Sequence, residues 1–74
     1  MNNTRNEKIL KKFGKHLEKI RKEKKLSLRK LADIADVDFS QIHRIEKGES
    51  NPTLTMILTL AEALEVSAEE LIGF

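Results

Sequence analysis

The sequence predicts an all-α domain of five helices. Three observations carry that prediction. The 74 residues contain no Trp or Tyr and a single Pro, and they are rich in Lys, Glu, Leu and Ile, a balance that favours helix. Apolar residues recur at i, i+3, i+4 spacing in successive stretches. Each stretch follows a Ser, Thr, Asp or Asn placed to cap it.

Residues 1–6 are polar and are expected to form a flexible arm. The first helix starts either behind Thr4, with Glu7 completing a capping box, or behind Asn6 as a simple cap. It runs to about Lys24. Ile9, Leu10, Phe13, Leu17 and Ile20 form its inward stripe, Arg21 lies at the stripe's edge, and six lysines cover the other faces. His16 sits among charges and reads as a surface residue. Lys25-Leu26 connects to the next element, with Leu26 buried.

Ser27 caps the second helix, whose apolar face is Leu28, Leu31, Ala32 and Ala35. Asp36-Val37 interrupts it, and Asp36 takes the turn because Asp tolerates left-handed backbone better than most residues. Asp38 opens the third helix, with Gln41 completing a capping box, Ile42 and Ile45 facing inward, and Gly48 ending it. Two short helices joined by a tight turn over residues 28–47 follow the helix-turn-helix plan. Pro52 closes a polar loop by disfavouring helix at Asn51. Thr53 then caps a fourth helix to about Leu64. One apolar face of it holds Leu54, Ile57, Leu58, Ala61 and Leu64, and a second holds Met56, Leu60 and Ala63. Ser67 opens the last helix, which contains Leu71 and Ile72 and ends at Gly73. This is a single domain, with no repeat and no linker.

The absence of Cys rules out a disulfide framework and a thiolate metal site. No apolar run reaches membrane-spanning length and the start of the chain is polar, so neither a membrane segment nor a signal peptide is expected, and the location expected is cytoplasmic. Two isolated His and scattered Ser make no nucleophile elbow, metal cluster or phosphate loop, so the reading is non-enzymatic, without metal or cofactor. Charge is sharply divided. All 14 Lys and Arg fall within residues 1–47 beside seven acids, for +7, while residues 48–74 hold five acids and no base, for −5; together these give the net +2. A basic pole around a helix-turn-helix is the footprint of a polyanion binder.

The ordered set Leu31-Ala32, Val37, Ser40, Ile42, Arg44-Ile45-Glu46 and Gly48, then Asn51-Pro52-Thr53-Leu54 and Leu60-Ala61-Glu62-Ala63-Leu64, resembles the Cro/lambda-repressor type of bacterial and phage DNA-binding domain over roughly residues 13–72. The resemblance implies a lambda-repressor-like fold that binds duplex DNA and regulates transcription in a prokaryote or phage. It implies an internal salt bridge between Arg21 and Glu46, and two half-buried opposite charges should in any case find each other. The family usually has Gly at both inter-helix turns, where this chain has Lys25 and Asp36, and often Gln where it has Leu28.

On a helical wheel, Ser40, His43, Arg44 and Lys47 point away from the buried Ile42 and Ile45, with Gln41 on the flank and Phe39 near the exposed start. Arg suits guanine O6/N7, Gln suits adenine N6/N7, and an apolar group suits a thymine methyl. Phe39, Ser40, Gln41, His43 and Arg44 are therefore the expected base contacts, although Phe39 could instead staple the helix to the core and Gln41 serve only its cap. Ser27, the Leu28 N–H, Arg29, Lys47 and Asn51 are the expected phosphate contacts. Met56, Leu60, Ala63, Ile72 and Phe74 are surplus apolar surface and are expected to form a homodimer interface, matched by a palindromic operator. No effector domain is present, so no small-molecule control is expected. The small size resembles restriction–modification controllers and compact phage repressors. An antitoxin is the nearest alternative, but no toxin-binding segment is evident. A protein-interaction module without DNA binding would show an acidic or apolar second helix of the motif, whereas Ser-Gln-Ile-His-Arg there is polar and basic.

Overall fold

The computed structural model describes residues 6–74, which form α1 (Glu7–Glu23), α2 (Leu28–Ala35), α3 (Phe39–Glu46), α4 (Leu54–Leu64) and α5 (Ala68–Ile72). Every helix starts where a side-chain oxygen accepts from a backbone N–H that the helix itself leaves unpaired. Asn6 accepts from Ile9 at 3.1 Å, Ser27 from Lys30 at 3.0 Å, Asp38 from Ser40 at 3.2 Å, Thr53 from Met56 at 3.1 Å and Ser67 from Glu70 at 3.0 Å. Asn6 is thus the α1 cap; Thr4 and the rest of the expected arm lie outside the described residues. At α3 the Gln41 half of the expected capping box is not among the bonds of the described residues, and the Gln41 side chain stays exposed.

Four helix ends share one geometry. Lys25, Asp36, Gly48 and Glu65 all take left-handed backbone, with φ of 60°, 59°, 75° and 60°. In each case the N–H of this residue bonds a carbonyl three residues back, and the next N–H bonds one five back: Leu26 to Arg21, Val37 to Ala32, Glu49 to Arg44 and Val66 to Ala61. This double bond pattern satisfies the last carbonyls of the helix. Leu26, Val37 and Val66 then drop onto the core, half-buried. Lys25 and Asp36 therefore make turns at which the family resemblance implies Gly, at a cost of order 1 kcal/mol or more each.

Only one of the four ends needs glycine for space. A Cβ on Gly48 would come within 2.9 Å of the Lys11 Cα. Gly14, in the middle of α1, is the reciprocal contact: a Cβ there would approach the carbonyl oxygens of Ile45 and Glu46 closer than 3.0 Å. The end of α3 thus lies on α1 backbone to backbone. The apolar spacing of α1 gives no hint of this, because Gly14 adds nothing to the stripe.

The core is built from Phe13, Leu17 and Ile20 of α1, Leu31 and Ala32 of α2, Ile42 and Ile45 of α3, Leu60, Ala61 and Leu64 of α4, and Leu71 of α5. Two expectations need correction. Ile9 is half exposed rather than inward. In α4 the buried arc is rotated from the expected one: Ala61 and Leu64 are buried and Ile57 half-buried as expected, but Leu60 is completely buried with Met56 and Ala63 half-buried on the core, whereas Leu54 is 70% and Leu58 46% exposed. The reason is that α4 packs against both α2 and α5, which centres its buried arc on Leu60 and Leu64. The polar residues Thr55, Thr59 and Glu62 share the opposite face, a phase signal that apolar spacing counted from Leu54 passes over.

In an open helix interior, replacing Gly by Ala gains about 1 kcal/mol. At Gly14 the sign should reverse. Gly14→Ala should destabilise by about 1–3 kcal/mol, because the added methyl overpacks against α3. Denaturant unfolding of the two proteins checks this; a stabilised variant would contradict the backbone contact.

Candidate nucleic-acid interface

α3 buries Ile42, Ile45 and Glu46 and leaves Phe39, Ser40, Gln41, His43, Arg44 and Lys47 exposed. This is the arrangement the helical wheel predicts. Phe39 is not a staple hidden in the core. The residue is 40% exposed, and the Arg29 guanidinium lies over its ring, 4.7 Å from the centroid. The start of α2 and the start of α3 are thereby joined at the surface.

The start of α2 places its expected phosphate contacts together. Ser27 caps the helix, Leu28 turns its side chain onto the core, and Arg29 remains exposed. The first N–H groups of a helix have no acceptor within it and carry partial positive charge. On the other flank, Gln41 and Arg44 share a depression of about 200 Å³ with Ser50, Asn51, Pro52 and Thr53, where α4 begins. Met56 lines this depression as well, which places it beside α3 and not on a surplus apolar face. Lys47 lies apart from that depression, next to α1.

The underside of α3 is held by a charged pair. Arg21 Nε donates to Glu46 Oε2 at 2.7 Å and Nη2 to Oε1 at 3.0 Å, while Nη1 donates to the Leu26 carbonyl at 2.8 Å. Both side chains are more than 90% buried. The bond to Glu46 raises the Arg21 pKa above its ordinary value against the opposing effect of burial, so the guanidinium stays charged. With every charged group already bonded, this pair supports the helix and does not face solvent.

At the far end of the fold, Ile72 and Phe74 are 51% and 47% exposed. With Ile9, Ile57 and the edges of Leu10 and Phe13 they border a shallow, mainly apolar groove of about 160 Å³. The Phe74 ring lies 5.9 Å from Phe13 and 6.0 Å from His16, and His16 Nε2 donates to the Glu70 carbonyl at 2.8 Å. His16 therefore ties α1 to α5 and is not the isolated surface residue that its neighbours in sequence indicate. Among the described residues no group of His, Cys, Asp and Glu could hold a metal ion, and no helix is long and apolar enough to cross a membrane.

A model of the helix-turn-helix family matches residues 17–71. No curated protein matches the chain. Among solved structures, the restriction-modification controller protein C.AhdI from Aeromonas hydrophila superposes with a TM-score of 0.82 at 40% identity, over 84% of this chain and 94% of that one. A helix-turn-helix transcriptional regulator from Vibrio cholerae gives 0.85 at 28% identity, over 90% of this chain but only 38% of its own. The clp gene regulator ClgR from C. glutamicum shares the fold, with a TM-score of 0.83 at 22% identity, over 86% of this chain and 82% of that one.

Glu46→Ala should lower stability by about 3 kcal/mol, since it strands a buried guanidinium. Thermal melting measures this. An unchanged melting temperature would mean that the pair does not hold α3 to α1.

Proposed function

The chain belongs to the helix-turn-helix family of DNA-binding transcriptional regulators, and on that premise we propose that it reads a specific duplex sequence as a homodimer, in the manner of a repressor or controller. One observation carries the reading: the exposed polar and basic face of α3 sits on a rigid base and adjoins the starts of two other helices. In this reading Arg44 reads guanine, Gln41 reads adenine, Phe39 meets a thymine methyl, and Ser40 and His43 complete the contacts. Ser27, the Leu28 N–H, Arg29, Lys47 and Asn51 hold phosphates and fix register. The likeness to a restriction-modification controller, which this chain matches over nearly that protein's full length, supports a controller role.

The dimer surface in this proposal is the exposed apolar area of the C-terminal third. Leu54, Leu58, Ile72 and Phe74 now make up that surface, and Met56, Leu60 and Ala63 leave it because the core occupies them. α4 and α5 carry no base, so this end repels DNA and is free to meet a second copy. A two-fold pair sets the recognition helices about 34 Å apart, and the operator is then palindromic.

Two measurements test these points. Selection from a random duplex pool should return a palindrome. On that operator Arg44→Ala should weaken binding by about 1–3 kcal/mol and relax one base position, while Lys47→Ala should weaken operator and unrelated duplex alike. If both variants behave identically on the two duplexes, the assignment of the α3 face is wrong. For the dimer, sedimentation at micromolar concentration should give two copies for the native chain and one for Leu58→Glu, whose side chain is exposed and can change without unfolding the core. A native chain that stays monomeric would remove the dimer and leave DNA binding intact.

A further inference from the structure

The basic pole of the chain is larger than the recognition surface uses. Lys8, Lys11, Lys12 and Lys15 of α1 line a depression of about 350 Å³ together with Lys47, Glu18 and Glu46. The two carboxylates there are already engaged: Glu46 bonds Arg21, and Glu18 pairs with Lys22 at 3.2 Å. None of the five lysines has an ion-pair partner among the described residues. The four on α1 follow i, i+3, i+4, i+7 spacing, so their ammonium groups share one stripe about 10 Å long.

Like charges at this spacing oppose helix formation, by a few tenths of a kcal/mol per i, i+4 pair. Nothing in the core compensates, since all four side chains are exposed. The stripe is therefore a cost to the fold that a polyanionic ligand would relieve. The stripe also adjoins α3: Gly48 packs on the Lys11 backbone, and Lys47 belongs both to the depression and to the end of the recognition helix.

We infer that the lysine stripe of α1 is a second phosphate-binding surface, which follows the duplex backbone onward from the bases read by α3. The inference rests on the DNA-binding reading above and extends it. Duplex DNA carries one phosphate per about 3.4 Å of helix axis on each strand, and the strand is inclined to that axis, so a stripe of about 10 Å meets about two or three of them. The groups are flexible point charges with no aromatic side chain among them, which suits backbone contact. An acidic protein surface is the competing occupant. DNA is favoured because the stripe meets α3 at Lys47, so a backbone lying along α3 is carried onto it.

The test is the full-length triple variant Lys8→Gln, Lys12→Gln, Lys15→Gln, compared with the native chain on the selected operator and on an unrelated duplex. The slope of log K against log salt should become shallower by about 2–3, since each neutralised phosphate contributes about 0.9. Affinity for both duplexes should fall by the same factor, at least tenfold at low salt, with the base preference of the selected operator unchanged. Phosphate ethylation should interfere with the native chain at a run of about two or three phosphates that no longer matters to the variant. Circular dichroism verifies that the variant is folded. An unchanged slope and ethylation pattern with intact operator binding would overturn the inference and leave the DNA-binding reading standing. An unchanged slope with reduced pairing between protein copies would overturn it in favour of a protein contact. A native chain that binds no duplex at all would overturn both.

Discussion

The Arg21–Glu46 pair is the interaction on which the arrangement of the molecule depends. It ties the last turn of α3 to α1 by two charge-assisted hydrogen bonds, and the third arm of the guanidinium reaches the connector before α2. Three segments thus converge on one side chain. The close backbone contact at Gly14 and Gly48 sets the distance at which they meet. Without glycine at those positions α3 could not approach closely enough for Glu46 to reach Arg21. Charge pairing and steric permission are therefore two parts of one device, which presents the opposite face of α3 to solvent in a fixed orientation.

The same economy governs the connections. Each of four helices ends in a left-handed residue and a pair of hydrogen bonds, and in three cases the chain then places an apolar side chain on the core. Short connections of this kind leave little room for the helices to rearrange. Lys25, Asp36 and Glu65 show that such a turn does not require Gly where the residue is exposed. The hydrogen bonds and the burial that follows outweigh the local backbone cost. Gly48 is different because α1 passes directly behind it.

The sequence gives a faithful account wherever local chemistry decides the outcome. All five helices were legible from their caps and apolar spacing, and so was the outward set on α3, because Ile42 and Ile45 leave no doubt about which side is buried. The charged pair was legible through the family resemblance and through the placing of two opposite charges at the edges of apolar stripes. What failed was the phase of α4. Thr55, Thr59 and Glu62 do share one face and mark an outside opposite Leu60, Ala61 and Leu64, but counting apolar spacing from the exposed Leu54 set the arc off-centre. His16, Gly14 and the Arg29–Phe39 contact were hidden. Each joins residues distant along the chain or depends on a partner's backbone, and single-sequence patterning carries no such information.

The exposed side chains of α3 have consequences for how this protein can change over generations. Ser40, Gln41, His43 and Arg44 form no side-chain bond within the described fold, while the residues that hold the helix all lie behind or at its ends. Mutation can therefore alter these four positions at little cost to folding, and under the proposed reading of α3 divergent copies would acquire new target sequences through single substitutions. Phe39 is the exception. Its ring is covered by Arg29, so a change at either position disturbs the other, and the two should drift together as a linked pair.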